Sequence, residues 1–347
     1  MIKILGLLAA AHLTCVGICR LHAQCHLFTE EHVDVLAAVW NDDTQTLSLV
    51  ASDDTHGGIL YASNQCVVVA SEGAQFTLPG GTPFGNEGDP IWILPQSPYP
   101  GLPYVGISAE RLTPGTFNDP ISIRLTRIEG PGHFILWQSS SFGIFDIKMD
   151  SRDGIDANDQ VTPAVGGHEH HNWGFTTNGV YRLYFQAAAM RAGQSTNTLS
   201  PETPFTFHVL PLRPFEHWVA TNWPCVCATN IIAAGADPDA DGLINIMEYA
   251  FGNNPHQTLL SNLPNVTFVS VNGTNYGALR YVRSPDATDL AFEVRGSDSP
   301  GGAGEPLTNI ASVISNGTTE TVTLRDSTPQ AAATKRFFQL RVQLNPP

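Results

Sequence analysis

The sequence predicts a mainly β protein: an N-terminal antiparallel β-sandwich, a short helical linker and a small C-terminal antiparallel β module. Three observations carry this expectation. Apolar residues recur in short alternating runs separated by Gly, Pro, Asn and Asp, the period-two pattern of half-buried strands. Sustained helical spacing is confined to one central stretch. The charge is also unevenly divided: residues 24–210 hold 7 Lys+Arg against 20 Asp+Glu, whereas residues 261–347 balance 7 against 7.

Taken in order, Met1-Ile2-Lys3 is a short positive head, residues 4–19 are largely apolar and Leu21-His22-Ala23 makes a signal-peptidase site. Residues 1–23 therefore read as a secretory signal cleaved after Ala23. No small-residue lipobox precedes a cysteine, and no later run approaches the roughly twenty apolar residues of a membrane span. The mature chain is expected outside the cytoplasm, whether extracellular, at the cell surface or periplasmic, with no transmembrane segment. Residues 24–210 form the sandwich, with strands expected at 33–39, 47–51, 66–70, 121–128, 134–138, 180–185 and 205–210. In the linker, residues 211–260, helices are expected at 215–220 and 244–250, the second stopped by Gly252-Asn253-Asn254-Pro255. Residues 261–347 form the C-terminal module, with strands at 276–282, 290–295, 321–325 and 337–342; the last places Phe338, Leu340 and Val342 on one face.

Cys15 and Cys19 leave with the signal, so Cys25, Cys66, Cys225 and Cys227 remain. Export permits disulfides, and a Cys25–Cys66 bridge would tie the mature N-terminus to a nearby strand. Cys225-Val226-Cys227 is too close for a relaxed ring, leaving those two strained, free or intermolecular. The acidic field of the front domain disfavours nucleic acid and anionic membranes, favours cations and keeps an exported protein soluble.

The linker contains Asp237-Pro-Asp239-Ala-Asp241-Gly242-Leu243-Ile244-Asn245-Ile246-Met247-Glu248, which fits the twelve-residue EF-hand loop. Asp237, Asp239 and Asp241 stand at ligand positions one, three and five, and Gly242 makes the turn at six. The Leu243 carbonyl, Asn245 and Glu248 follow at seven, nine and twelve. A hard Ca2+ ion wants about six to eight oxygens, and carboxylates two residues apart converge only if the backbone curls around it. One loop, rather than a pair, points to a structural ion.

A second group lies in the acidic domain, in Gly166-Gly167-His168-Glu169-His170-His171-Asn172-Trp173-Gly174-Phe175. Strand alternation puts His168, His170 and Asn172 on one face and His171, Trp173 and Phe175 on the other, the last two as core. Far upstream, His32-Val33-Asp34 makes another same-face pair. If the two strands are neighbours, His32, Asp34, His168 and His170 form a set for Zn2+ or another transition metal. His56, after Asp53-Asp54-Thr55, is a further candidate.

Several segments resemble one family. Glu31-His32-Val33-Asp34-Val35, Pro90-Ile91-Trp92-Ile93-Leu94-Pro95-Gln96, Gly106-Ile107 with Leu112-Thr113-Pro114-Gly115, Gly130-Pro131-Gly132-His133-Phe134, and the histidine segment with Gly179-Val180-Tyr181 together resemble the choice-of-anchor M, or surface-anchored, domain of bacterial exported proteins. The resemblance covers about residues 30–210. It implies export and attachment by varied anchors, in some members beside metal-uptake transporters, and it implies no activity. The Trp218 region, the calcium loop, Tyr249-Ala250-Phe251-Gly252 and Arg336-Phe337-Phe338-Gln339-Leu340-Arg341-Val342 are similar to C-terminal modules of exported proteins from verrucomicrobia and related bacteria. The expected sorting motif is not seen at Asn345-Pro346-Pro347, so anchoring would fall to the small module.

Enzymatic motifs are not found: no Gly-x-Ser-x-Gly elbow, no His-Glu-x-x-His and no phosphate loop. Asp146, Asp150, Asp153, Asp156 and Asp159 read as a polar loop or partial cation turn. The expectation is a non-catalytic modular protein that binds an unidentified surface or extracellular ligand. Its alternatives are a secreted hydrolase, metal-dependent or carboxylate-based, and a carbohydrate-binding protein with an aromatic row from Trp92, Tyr99 and Tyr104.

Overall fold

In the computed structural model, which describes residues 25–140, 143–225, 228–258, 261–333 and 335–346, the chain is mainly β. The signal segment 1–23 and Cys227 lie outside these residues.

Three sheets build the front unit. In the largest, His26–Phe28, Cys66–Ala70, Thr203–Val209, Gly179–Arg191, Phe117–Glu129 and Gln160–Val161 lie side by side, with Thr198–Leu199 added to Gly179–Arg191. The second runs Phe145–Asp150, Phe134–Ser139, Asn172–Phe175, Pro90–Leu94, Gln75–Thr77. The third runs His168–His170, Tyr104–Ser108, His32–Asn41, Thr46–Asp53, Ile59–Tyr61. Strand Gly179–Arg191 shows why the sheets stack: Tyr181, Leu183, Phe185, Ala187 and Ala189 are buried on one face, alternating with partly exposed Tyr184, Gln186 and Ala188. That apolar face meets both other sheets. Trp173 stacks on Phe207 at 5.5 Å between ring centroids, and Trp40 meets Phe117 edge-on at 5.4 Å. Each fully buried side chain of this size contributes about 1.5–3 kcal/mol.

Among the strands of the described residues pairing is mostly antiparallel, with three parallel pairs: His26–Phe28 with Cys66–Ala70, Cys66–Ala70 with Thr203–Val209, and His32–Asn41 with Tyr104–Ser108. Alternation within a strand is the same for either direction, so the sequence pattern does not distinguish them.

The C-terminal unit is a small sandwich. A four-stranded sheet, Asn265–Val271, Thr274–Arg283, Glu320–Pro329 and Asn309–Ser315, packs on a three-stranded one, Glu305–Pro306, Leu290–Ser297 and Phe337–Leu344. Leu279, Tyr281, Val294 and Leu324 fill the space between. Its first hairpin turns on Asn272 and Gly273, at φ 51° and 77°, the left-handed pair that a two-residue hairpin loop needs.

Helices α1 (Pro214–Asn222), α2 (Thr229–Ile232) and α3 (Asn245–Phe251) connect the units. Glu216 accepts a hydrogen bond from the Arg213 amide (3.1 Å), closing the start of α1, and Gly252 ends α3 in the left-handed conformation at φ 68°. Phe215, Tyr249 and Phe251 share a cluster with Ala287 and Leu290 of the C-terminal unit. Asp289 binds both helices: it accepts from the Tyr249 hydroxyl (2.7 Å) and from the Phe215 amide (3.0 Å).

A disulfide joins Cys25 to Cys225, not to Cys66. His26 is the register partner of Cys66, so the expected nearness is real, but Cys66 is a buried member of the core beneath the strand. Cys25 precedes the strand and meets the linker just after α1 instead. Cys225 is thus neither free nor strained against Cys227.

Candidate metal centres

In the linker loop the aspartates divide their oxygens between two tasks. Asp237 Oδ2 accepts from the Gly242 amide (3.0 Å), Asp239 Oδ1 from Asp241 (3.3 Å) and Asp241 Oδ1 from Leu243 (2.7 Å), which curls the backbone. Gly242 at φ 95° makes the turn. Ligand atoms of the three aspartates lie within 4.8 Å of one another. Asp237 Oδ1 and Asp239 Oδ2 are buried without a partner, as are both Glu248 carboxylate oxygens and Asn245 Oδ1.

Glu248 stands in the first turn of α3 and is 0% exposed. Burial, then Asp239, Asp241 and Asp237, push its carboxyl up to about 7. Burial and its acidic neighbours likewise raise Asp239. Asn245 does more than its loop position implies: Nδ2 donates to the carbonyls of Ile231 (2.6 Å) and Ala233 (2.9 Å), clipping the loop to α2. Orphaned buried oxygens that repel one another fit a hard divalent cation, which would relieve both costs at once.

The histidine residues come together on the outer face of the third sheet. Asp34 and His170 are both register partners of Gly106, His32 pairs with Tyr104, and His168 pairs with Ser108. His32 Nε2 lies 3.2 Å from His170 Nε2 and 3.7 Å from Asp34 Oδ1. Two nitrogens on a tetrahedral zinc with bonds of about 2.0–2.1 Å stand about 3.3 Å apart. Ligand atoms of His32, His168 and His170 lie within 4.8 Å of one another.

Two of the three rings are oriented from behind. His170 Nδ1 faces the Val105 carbonyl at 3.0 Å, so the proton sits there and Nε2 carries the lone pair; Tyr104 stacks on the same ring at 3.6 Å. His168 Nδ1 is 2.9 Å from Glu110 Oε1, the carboxylate–histidine arrangement that supports a metal ligand. That contact raises the His168 pKa, whereas burial lowers that of His170 to about 4. Asp34 is 1% exposed and its Oδ1 has no partner; burial, then the Asp54 charge, raise its carboxyl to about 6.

Not every expected neighbour joins. Asn172 belongs to a different sheet, where its Oδ1 accepts from the Gln96 amide at 3.0 Å. His56 turns to Asp53, 2.8 Å from Nδ1 to Oδ2. Asp54, Glu110, Ser108 and Gly106 enter the site although spacing did not mark them as ligands. Asp54 Oδ2 is 4.0 Å from His32 Nε2, and Gly106 alone leaves room, because a Cβ there would collide with Asp34 Oδ1. Asp146 and Asp150 lie in strand Phe145–Asp150, and the residues after it form a hydrogen-bonded loop in which Asp159 accepts from the Asp150 and Asp156 amides, both at 2.7 Å. Trp92, Tyr99 and Tyr104 do not form a row: Trp92 is core, donating to the Leu210 carbonyl (2.8 Å), and Tyr104 covers His170.

No protein-family profile and no curated protein matches the chain. Among the described residues, no helix is long and apolar enough to cross a membrane.

Proposed function

We propose that this is an exported, non-catalytic modular protein of the choice-of-anchor M type, in which calcium orders the joint between a front binding domain and a small β module. The observation that carries the reading is Glu248: a carboxylate closed off from solvent, with neither oxygen partnered, beside three aspartates. Bound Ca2+ would be held by Asp237, Asp239, Asp241, the Leu243 carbonyl and Glu248, with Asn245 at the ninth position. It draws α3 against the loop, and α3 carries Tyr249, whose hydroxyl reaches Asp289 of the C-terminal unit. The exterior is calcium-rich, and extracellular modules bind the ion at about 10⁻⁴–10⁻³ M.

The front domain would hold Zn2+ or a related transition ion through His32, Asp34, His168 and His170, which the fold brings to one sheet face. A metal-dependent hydrolase is the second reading, supported by the same centre because His32 and His168 are partly solvent-exposed. Limited proteolysis separates calcium clamping from its absence. Chelation should expose the segment 228–258 to rapid cutting, and identical cleavage with and without calcium would reject the clamp.

A further inference from the structure

We propose that Asp54 completes the histidine centre as its solvent-side ligand, making it an open site that captures a first-row divalent transition ion from the exterior and yields it again. This rests on the reading of His32, Asp34, His168 and His170 as metal ligands and names what that site does.

Asp54 is held to His32 by the backbone on both sides. Its amide donates to the His32 carbonyl at 2.9 Å, and the His32 amide donates to Thr55 Oγ1 at 2.8 Å. Its side chain is fixed too: Oδ1 accepts from the Ser52 hydroxyl (2.9 Å), and Ser52, buried, receives the Arg111 guanidinium at 3.3 Å. Oδ2 is left facing His32 Nε2 at 4.0 Å, and ligand atoms of His32, Asp34 and Asp54 lie within 4.8 Å of one another.

The two carboxylates occupy opposite environments. Asp34 is sealed at 1% exposure with Oδ1 aimed unpartnered into the cluster; Asp54 is 25% exposed. One side of the centre is therefore rigid and dry, and the other is a carboxylate that can exchange with water. The two triads that share His32, one of three imidazoles and one with the Asp34 and Asp54 carboxylates, suit zinc or a neighbouring first-row ion better than calcium. The sheet beneath does not depend on the ion, because Val33, Val35, Val105 and Ile107 of the same strands are fully buried in the large core. An ion that is not needed for the fold and is reached from solvent behaves as cargo, unlike a closed structural zinc.

The test uses the full chain, calcium-saturated and stripped of transition metal, titrated with Zn2+ against a chromophoric chelator and then mixed rapidly with excess chelator. The wild type is expected to take one Zn2+ at this centre and release it within seconds. Asp54→Asn should keep that stoichiometry, bind about 10–100-fold more weakly and release faster, with Asp34→Asn losing more. Ser52→Ala, which frees Asp54 without touching a ligand, should shift both quantities in the same direction, and circular dichroism shows that each variant folds. Unchanged affinity and release in Asp54→Asn would overturn the role of Asp54. Wild-type release over hours would overturn the open site. No Zn2+ bound by the wild type would overturn the histidine centre itself.

Discussion

Asp34 and His170 face each other across Gly106, the register partner of both. A methyl group on Gly106 would overlap Asp34 Oδ1 and stand 3.0 Å from His170 Cε1. The empty position lets two side chains from different strands reach one point.

Gly106→Ala should therefore abolish transition-metal binding while costing about 1–3 kcal/mol from overpacking. Metal content by mass spectrometry and unfolding by denaturant measure the two effects. A variant that keeps its metal at wild-type affinity contradicts the convergence at this glycine.

The Cys25–Cys225 bridge closes a loop across 200 residues. Chain-entropy arguments give such a crosslink up to about 5 kcal/mol. Cys25→Ser should lower the denaturant midpoint accordingly, whereas Cys66→Ala should cost only the packing of one small buried side chain. Peptide mapping without reduction checks the pairing, and recovery of a Cys25–Cys66 peptide would refute it.

Calcium stabilisation should depend on pH in a stated direction. The Glu248 carboxyl sits at about 7 in the fold, above its ordinary 4.5. A group shifted upward favours the folded state below the ordinary value and loses that contribution as pH rises through the folded one. The ion-free chain thus weakens between about pH 4.5 and 7, and calcium, taking the place of the proton, restores it. The rise in melting temperature on adding calcium should be small near pH 5 and large near pH 7.5. Equal rises at both would contradict the buried carboxylate.

Acid should unfold the front unit through neutral buried histidines. Burial holds His171 and His208 down at about 4, against an ordinary 6.5. Here the unfolded chain takes the proton first, so stability is complete above about pH 6.5 and falls through the window to about pH 4, on the order of 1–3 kcal/mol per residue. Denaturant midpoints across that range measure it. His208→Gln should flatten the slope, and a flat profile in the wild type contradicts the assignment.

Each strand predicted from alternation coincides with a strand of the structure, 205–210 overrunning Thr203–Val209 by one residue, because burial of one face leaves its period in the residues themselves. Pro90–Leu94 was less legible: Ile91, Trp92 and Leu94 are all buried and the run lacks alternation. The acidic loop of the linker was readable because Asp237, Asp239, Asp241 and Glu248 lie within twelve consecutive residues. The histidine centre was readable only in part. His168 and His170 stand two apart, yet Asp54 arrives from a corner hydrogen-bonded to His32, and Glu110 from the turn after Tyr104–Ser108. Their nearness is a property of strand order, which spacing along the chain does not carry. The disulfide failed for a related reason: proximity of His26 to Cys66 says nothing of the direction in which each sulfur points.

The most direct test of the account is a calorimetric titration of Ca2+ into the chelator-treated chain and its Glu248→Gln variant. One site is predicted, with affinity of about 10⁻⁴–10⁻³ M, weakened at least tenfold in the variant. Absence of binding in the wild type, or identical binding in both, would contradict a calcium-ordered joint.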